Sequence, residues 1–551
     1  MSRAVQARTL MPLHPTVRDR LARLTPGQRA AATAAPGPVL CVAPAGSGKT
    51  TTLVARMAWL IDGGVAPGTL TAITFNKHAA TELGDRLEAA VAPLGVTPGM
   101  IRVRTFHALG RTICEEAGVD VTNLVDREAV LSRLSAFGQL PGPEAHARMD
   151  VAFSRLKLEH GVTADEVAVD PAAGPIAKAF VTYERELARR GALDFDDLVG
   201  RALTILERDP DARSRWRARC AHLLVDEVQD VDRSQLRLAL LLAAPANRIF
   251  LVGDDDQSIY GWRLADVRRV LALDEALPGL LRVDLTVNHR CPAPVVERAD
   301  RLIRHNRERF DKTILPRPGA AGALVLAPDA ADDPERTQRL IASWPVDDGS
   351  RAVLARTNRE LRPAIVAALR LGEPFAAPSV DLLVSDPALD GLLARVRDDT
   401  PADEPLLVRI GRIRRMAMGE TDDVRELAAA LLAWAVPYGD IGELTAAIIA
   451  TRRRLAELRR DDARLSLVTA HSTKGAEYDH VAVIGLDIGR FPSGRALNEA
   501  EDPERTLEEE RRLAYVAWTR ARRTLTLSFD PAAPSRFLSE AFSPAELGQP
   551  G

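Results

Sequence analysis

The chain has 551 residues and a formal net charge of −3 at pH 7, with 46% hydrophobic and 27% charged residues. This length exceeds what one hydrophobic core supports and, with this composition, predicts a soluble globular protein of about two to four domains. The charge excludes overall basicity, although a local groove that binds nucleic acid can be basic on a near-neutral protein.

The N-terminus and the apolar segments predict a cytoplasmic protein. The first residues, MSRAVQARTLMPLHPTVRDRL, lack the apolar run of a signal peptide. The longest apolar stretch, LALLLAAPA near Leu238, is too short to span a bilayer and predicts a buried helix. The four cysteines have no spacing typical of zinc sites or disulfide frameworks; they are Cys41, Cys114, Cys220 and Cys291. We therefore expect a cytoplasmic location and no membrane partner.

A glycine-rich turn follows the first predicted strand. PVLCV predicts a short buried strand, APAGSGKT a turn, and KTTTLVARMAWLIDGG a helix. Backbone N–H groups of such a turn cradle nucleotide phosphates, a lysine adds positive charge, and a hydroxyl, here Thr50, ligates Mg²⁺. Kinases, transporters, GTPases and motors share this motif, and the flanking strand and helix disfavour a chance turn. The predicted nucleotide-binding residues are Ala43, Pro44, Ala45, Gly46, Ser47, Gly48, Lys49, Thr50 and Thr51.

Two carboxylates end the next informative strand, AHLLVDEVQD. Open α/β sheets place their ligands at the carboxyl ends of strands, where Asp226 suits a direct or indirect Mg²⁺ ligand. Glu227 suits a base that polarises the attacking water, which an ATP hydrolase needs and a kinase does not. The alternative, a solvated acidic turn, fits poorly with so apolar a strand.

A third predicted strand, RIFLVGD, leads into DDDQSIYGWR. Gln257 after such a strand can sense the γ-phosphate of a nucleotide and relay its loss. The chain has only five tyrosines and six tryptophans, so Tyr260 and Trp262 at one strand end indicate a platform on which bases stack. Such stacking is worth about 1–3 kcal/mol per base regardless of sequence. The alternative is that both aromatic side chains belong to the hydrophobic core.

Together, APAGSGKT, VDEVQD and VGDDDQSIYGWR resemble the motifs of superfamily 1 DNA helicases of the UvrD/Rep/PcrA type. LTPGQRAA resembles the family's adenine-reading motif, with Gln28 as the reader, and LDFDDLV resembles the segment that re-enters the first motor domain. LTVNHRCP resembles the motif that carries an arginine, here Arg290, toward the γ-phosphate. His289 replaces the tyrosine that stacks on adenine in the family, and an imidazole offers less stacking area.

The resemblance also implies contacts with single-stranded DNA. ITFNKHAATEL and VRTFHAL resemble the two strand-contacting motifs that follow the phosphate loop. The implied DNA-binding residues of the first motor domain are Phe75, Asn76, Thr105, His107, Tyr260, Trp262 and Arg263.

The C-terminal part resembles a second motor domain without a phosphate loop. RAVLARTN, HVAVIGLD and TLTLSF predict buried strands. VTAHSTKGAEYDHV resembles the family's fifth motif, in which His471 and Lys474 face the DNA backbone and Glu477 meets the ribose. EEERRLAYVAWTRARRTL resembles the sixth motif, whose Arg520 would be a second arginine finger, worth roughly 10³- to 10⁵-fold in hydrolysis rate. Taken alone, this segment also fits a salt-bridged surface helix.

Lysine is scarce in this chain. Of the 73 cationic residues only six are lysines: Lys49, Lys77, Lys157, Lys178, Lys312 and Lys474. Lys49, Lys77 and Lys474 lie inside APAGSGKT, ITFNKHAATEL and VTAHSTKGAEYDHV. A planar guanidinium does not replace a compact ammonium group where one phosphate oxygen must be met in a tight loop, which favours a role for these three.

The predicted fold class is α/β, with two RecA-like P-loop NTPase domains whose parallel sheets are flanked by helices, and with mainly helical insertions. We expect the short second insertion to bury little core of its own. The predicted boundaries are an N-terminal tail (1–20), the first RecA-like domain (21–109 and 192–293), its helical insertion (110–191), the second RecA-like domain (294–376 and 461–535), its reduced helical insertion (377–460) and a C-terminal tail (536–551).

These observations predict an ATP- and Mg²⁺-dependent DNA helicase and single-stranded DNA translocase. The resemblance implies 3′→5′ polarity and a role in DNA repair or recombination. The expected partners are single-stranded DNA, 3′-tailed duplex DNA and a protein that loads the motor. Three alternatives stay open: a translocase that displaces proteins from DNA without productive unwinding, an RNA motor, and a P-loop protein that is not a motor.

Overall fold

The chain forms two compact units. The computed structural model describes residues 12–142, 145–170, 172–419 and 422–548. The first unit consists of the residues up to 320 together with 502–515, and the second of residues 321–501 together with those from 516 onward. Residues 1–11 of the predicted N-terminal tail and 549–551 of the predicted C-terminal tail lie outside the described residues.

A six-stranded parallel sheet organises the first unit. The strands are β1 (Val39–Val42), β2 (Leu70–Thr74), β3 (Arg102–Thr105), β4 (His222–Val225), β5 (Ile249–Gly253) and β6 (Leu281–Asp284), and β7 (Val287–Asn288) pairs separately with β8 (Leu315–Pro316). Their spatial order is β3-β2-β4-β5-β1-β6, with every pair parallel. Alternate strand residues belong to two different hydrophobic clusters, Leu40 and Leu251 to one, Cys41 and Phe250 to the other. Both faces are therefore covered, as parallel sheets require.

Helices connect these strands. A π-helical segment, Arg155–His160, directly follows the helix His146–Ser154. The helices are α1 (Pro15–Ala22), α2 (Pro26–Thr33), α3 (Lys49–Asp62), α4 (Lys77–Val91), α5 (Phe106–Glu116), α6 (Arg127–Ala136), α7 (His146–Ser154), α8 (Ala164–Ala168), α9 (Pro175–Arg190), α10 (Phe195–Arg208), α11 (Pro210–Arg219), α12 (Arg233–Ala243), α13 (Val267–Leu271), α14 (Leu273–Ala276) and α15 (Ala293–Ile303).

The second unit repeats the parallel architecture. Its strands are β9 (Ala323–Pro328), β10 (Arg351–Ala355), β11 (Phe375–Ala376), β12 (Leu465–Thr469), β13 (Tyr478–Val483) and β14 (Ala521–Phe529). They form a six-stranded sheet in the order β11-β12-β10-β13-β14-β9, again with every pair parallel. The predicted α/β class with two parallel sheets is confirmed.

Four helices of the second unit form a subdomain within residues 377–460. The remaining helices of the chain are α16 (Asp333–Ala342), α17 (Arg362–Leu371), α18 (Ala388–Asp398), α19 (Leu406–Met416), α20 (Asp422–Trp434), α21 (Ile441–Leu458), α22 (Gly494–Glu499), α23 (Pro503–Trp518) and α24 (Arg536–Ala541). Leu389, Ile410, Leu431 and Ile448 from α18–α21 belong to one buried cluster. The expectation that this segment buries little core is wrong, because each of its helices contributes an apolar face.

Two predicted domain boundaries differ from the divisions in the structure. Helix α5 runs across the predicted boundary at 109/110 and packs so closely on α10 that a Cβ on Gly110 would lie 2.5 Å from the carbonyl oxygen of Leu198. The predicted boundary at 293/294 precedes the structural division after residue 320. Residues up to 320 stay with the first unit because β8 pairs with β7 and Lys312 is buried against Asp254.

Helix α23 is not the solvated surface helix that its charged sequence alone allowed. Its residues up to 515 belong to the first unit. Arg511 and Arg512 are buried there. Arg511 Nη1 donates to Asn306 Oδ1 at 2.5 Å, and Arg512 Nη2 donates to the carbonyl oxygen of Glu308 at 2.7 Å.

All four cysteines are buried free thiols. Burial raises the pKa of Cys41 to about 12 and that of Cys114 to about 11. Within the described part of the chain, no helix combines the length and the apolar character needed to cross a membrane.

Candidate functional site

The glycine-rich turn lies between β1 and α3. Gly46 and Gly48 have φ values of 68° and 85°, a region that glycine adopts without steric cost. Helix α3 begins at Lys49, so its first N–H groups face the turn and form an anion-binding helix terminus. The hydroxyl of Ser47 is buried without a hydrogen-bond partner among the described residues. The predicted nucleotide-binding residues 43–51 thus form one continuous turn between β1 and the start of α3.

Gln28 supports this turn from the preceding helix. It lies in a capping box at the start of α2, where its Oε1 accepts from the N–H of Thr25 at 3.0 Å. Its Nε2 donates to the carbonyl oxygen of Ser47 at 2.8 Å. A Cβ on Gly48 would lie 2.5 Å from this Nε2, so the turn and the glutamine fit only because residue 48 is glycine. The adenine-reading role of Gln28 stays a prediction.

The carboxylates at the end of β4 lie close to the turn. Lys49 Nζ is 3.7 Å from Glu227 Oε2. Glu227 has a left-handed backbone with a φ of 52°, which is uncommon for a residue with a Cβ. Its N–H donates to Asp226 Oδ1 at 3.0 Å. Lys49 and Glu227 thus face one another, and Asp226 adjoins Glu227 at the carboxyl end of β4.

The segment after β7 is joined to the turn through the backbone. The N–H of His289 donates to the carbonyl oxygen of Gly46 at 2.8 Å. Asn288 Oδ1 accepts from the N–H groups of Arg290 and Cys291, both at 2.8 Å. Arg290 is therefore held beside the glycine-rich turn, where a Cβ on Gly46 would lie 2.8 Å from the Arg290 Cβ. Sequence reasoning missed Asn288. An asparagine whose side chain accepts from backbone N–H groups two or three residues later is, however, a known turn signal.

His289 is exposed beside the turn. Its partial burial and the nearby Arg317 lower the pKa of the imidazole. The lowered pKa favours the neutral imidazole, and the role of His289 as the adenine contact stays a prediction.

Gln257 lies in a buried cluster of charges after β5. Its Nε2 donates to Asp254 Oδ2 at 2.6 Å. Lys312 Nζ lies 2.5–2.9 Å from carboxylate oxygens of Asp254, Asp255 and Asp256. Burial alone would lower the pKa of Lys312, but the three carboxylates raise it above its usual value. Sequence reasoning counted this lysine among the six and gave it no role.

Four residues define what we call the aromatic platform: Phe75, Tyr260, Trp262 and Arg263. The rings of Phe75 and Tyr260 are stacked, with centroids 4.9 Å apart and an interplanar angle of 12°. Trp262 meets Tyr260 edge-on at 6.2 Å, and the Arg263 guanidinium lies 4.5 Å from the Trp262 ring centroid. Trp262 is 54% exposed, so the alternative that it belongs to the core is wrong.

Other predicted DNA-binding residues of the first unit lie at helix starts. Asn76 and Thr105 cap α4 and α5 by accepting from backbone N–H groups. His107 lies two residues after Thr105. Burial lowers the pKa of its imidazole. Its ring lies 6.0 Å, edge-on, from that of Phe195, which is 57% exposed. Sequence reasoning missed Phe195, although an aromatic residue between acidic ones in LDFDDLV was a usable signal.

The predicted residues of the second unit have mixed environments. Burial lowers the pKa of His471 to about 4, so this imidazole is neutral at pH 7. Glu477 accepts from Arg522 Nε at 3.0 Å. Arg520 is buried, and its guanidinium donates to the carbonyl oxygens of Val516 and Ala476. The roles of Arg520, Glu477 and Lys474 toward ATP and DNA stay predictions.

Comparisons with known proteins agree with this arrangement. A family model described as "UvrD/REP helicase N-terminal domain" matches residues 24–278. A second, described as "UvrD-like helicase C-terminal domain", matches residues 442–531. The two matches together span more than half of the chain. The chain belongs to the UvrD/Rep helicase family.

Three similar proteins align with most of this chain. The ATP-dependent DNA helicase PcrA of Staphylococcus epidermidis is 26% identical over 92% of this chain and 84% of its own length, and PcrA of Staphylococcus aureus gives the same values. DNA helicase II of Salmonella typhimurium is 26% identical over 93% of this chain and 86% of its own length. This chain is accordingly an ATP-dependent DNA helicase. The resemblance predicted from its motifs is confirmed.

Proposed function

We propose that this helicase moves 3′→5′ along single-stranded DNA and separates 3′-tailed duplexes in cytoplasmic DNA repair or recombination, with a protein partner that loads it. One observation carries the motor part of the proposal. The glycine-rich turn, Glu227, Gln257 and the aromatic platform belong to one unit, and Gln257 and Tyr260 are only three residues apart. A change at the nucleotide therefore has a short covalent route to the DNA contact.

The proposed ATP site divides its work among a few side chains. Lys49 and the N–H groups at the start of α3 hold the phosphates. Glu227 takes a proton from the attacking water, while Arg290 stabilises negative charge that develops on the γ-phosphate. Arg520 of the second unit is proposed as the second arginine finger, and Glu477 as the ribose contact.

The donor set fits Mg²⁺. Thr50 supplies a hydroxyl and Asp226 a carboxylate, the hard oxygen ligands that this ion takes together with nucleotide phosphates and water. When bound, the ion would neutralise phosphate charge during transfer.

The proposed DNA path starts at the aromatic platform. Exposed Trp262 and the stacked pair Phe75 and Tyr260 offer π-faces to bases, and Arg263 adds a cation. This composition binds single strands without reading sequence, as a translocase requires. His107 and Asn76, and in the second unit Lys474 and neutral His471, are proposed as further contacts.

The decisive experiment measures ATPase activity and strand separation on 3′-tailed, 5′-tailed and blunt duplexes. Salt must be varied, because affinity for DNA phosphates falls steeply with it. We expect strong stimulation of ATPase by oligo-dT and separation of the 3′-tailed duplex only. Movement along single strands without separation of any duplex would favour the protein-displacing translocase. Equal stimulation by oligo-U would favour an RNA motor, and ATPase that ignores both would overturn the proposal.

A further inference from the structure

Gln229 lies between the carboxyl ends of the neighbouring parallel strands β4 and β5. Its side chain is 0% exposed. The Oε1 atom accepts from the N–H of Asp254 at 3.0 Å. The Nε2 atom donates to Glu227 Oε2 at 2.6 Å and to Asp230 Oδ2 at 3.2 Å. One amide group therefore touches both the proposed catalytic carboxylate and the residue that follows β5.

The surroundings of Gln229 leave it no room to move independently. A Cβ on Gly253 would lie 2.3 Å from Gln229 Oε1, so β5 can approach this closely only because residue 253 is glycine. The carbonyl oxygen of Gln229 accepts from Ser258 Oγ at 3.1 Å. Asp254 in turn accepts from Gln257. Gln229 is thus attached at two points to the segment that leads into the aromatic platform.

Glu227 accepts a short hydrogen bond from this amide. Its left-handed backbone is sparsely populated for residues other than glycine and persists only where neighbouring contacts enforce it. The same carboxylate oxygen, Oε2, faces Lys49 Nζ at 3.7 Å and Gln229 Nε2 at 2.6 Å. The amide is the nearer of these two partners and the one that is fixed by a strand end.

We propose that Gln229 is a positioning residue that transmits displacement of the segment 254–262 to Glu227, so that DNA on the aromatic platform sets the orientation of the base. The inference rests on the proposed function, because it takes Glu227 as the base and the platform as a DNA contact. An amide suits this position because it offers an acceptor to Asp254 and a donor to Glu227. A carboxylate of the same shape would keep the acceptor and repel Glu227.

The test compares Gln229→Glu and Gln229→Leu with a matched control, Gln235→Leu. Gln235 is a partly buried glutamine on α12 in the same unit. The measurements are kcat and KM for ATP with and without saturating oligo-dT, the Kd for oligo-dT, and the melting temperature. We expect both Gln229 variants to lose DNA-stimulated kcat by roughly 10- to 100-fold, the factor for one hydrogen bond to a charged group. KM, Kd and the control variant should stay near wild type.

Two results would overturn the inference. One is a folded Gln229→Glu or Gln229→Leu enzyme with wild-type DNA-stimulated kcat. The other is a Gln229→Glu enzyme that loses melting temperature, DNA affinity and kcat together, since that pattern indicates a purely structural residue. Failure of the proposed function is seen elsewhere, as wild-type ATPase that oligo-dT does not stimulate or as full turnover by Glu227→Gln.

Discussion

Two lysines of the first unit, both facing carboxylates, differ in how tightly they are held. Lys312 is 1% exposed and contacts three aspartates at 2.5–2.9 Å. Lys49 is 15% exposed and lies 3.7 Å from Glu227. A buried charge surrounded by short contacts is fixed in one arrangement, whereas a long, partly hydrated pair can exchange one partner for a phosphate. The comparison separates residues that build the site from residues that act in it.

The sharpest test of that separation is Glu227→Gln, for which the largest effect is expected. Loss of a general base should lower ATP turnover by about 10²- to 10⁴-fold. The melting temperature should not fall, because the pair with Lys49 is long and partly hydrated. Lys49→Ala should likewise abolish turnover in a folded protein. Residual turnover above about a tenth of wild type in Glu227→Gln would remove this residue from the catalytic role.

Lys312→Met should show the opposite pattern. Removing this cation takes the shared ammonium partner from three buried carboxylates, of which Asp256 keeps Arg309, and breaking such a contact typically lowers the free energy of unfolding by about 3–5 kcal/mol. Denaturant unfolding measures the loss. The matched control is Lys178→Met, since Lys178 is exposed on α9 and should shift stability by less than about 0.5 kcal/mol. A Lys312→Met protein as stable as wild type would contradict the expectation that Lys312, unlike Lys49, stabilises the fold.

Trp262→Ala extends the comparison to the DNA contact. The loss of one stacking surface should weaken oligo-dT binding by about 1–3 kcal/mol, with an unchanged melting temperature because the side chain is exposed. Phe137→Ala, at another exposed aromatic residue of the first unit (70% exposed), is the control and should leave the Kd for oligo-dT unaltered. A parallel loss of stability and of DNA-independent ATPase in Trp262→Ala would indicate a packing role instead.

The smallest effect is expected on the salt dependence of DNA binding by the second unit. There the neutral imidazole of His471 is compared with the side chain of Lys474. Lys474→Gln should reduce the slope of log affinity for oligo-dT against log salt by about 0.7, the value for one phosphate contact on a single strand. His471→Gln should leave the slope unchanged at pH 7, because burial holds the pKa of His471 at about 4. Equal slope changes for the two variants would show that the imidazole is charged.

Acid should destabilise the protein through His471. The folded pKa of about 4 lies below the ordinary value of 6.5, so between these values the unfolded chain binds the proton and the folded chain does not. Stability is therefore complete above about pH 6.5 and declines as the pH falls toward 4. Thermal unfolding of His471→Gln against pH should show a flatter profile in this window.

Sequence reasoning reached the strands and the phosphate turn because both are local patterns. Apolar runs of strand length predicted β1, β4 and β5, and glycine spacing predicted the turn at Gly46 and Gly48. The scarcity of lysine favoured roles for Lys49, Lys77 and Lys474 but gave no role to Lys312. Lys312 lies 58 residues along the chain from Asp254, and no local pattern connects two such positions. Their pairing exists only in the folded chain, where the segment before β8 reaches the carboxyl end of β5.

Gln229 and the second insertion show the same limit. Gln229 stands beside acidic residues in the sequence and acquires its contact with Asp254 only when β4 and β5 pair. The core of residues 377–460 was underestimated because short amphipathic helices bury little singly. Four of them packed together bury a continuous set of aliphatic side chains.

The burial of Cys41, Cys114, Cys220 and Cys291 has a practical consequence for following this enzyme in motion. A thiol reacts as its thiolate; all four sulfurs are buried, and burial also raises the pKa of Cys41, Cys114 and Cys220. A cysteine introduced at an exposed position such as Val436 or Phe137 should therefore react with a maleimide dye far faster than the native ones. Site-specific fluorescence could then be recorded on the otherwise unaltered chain.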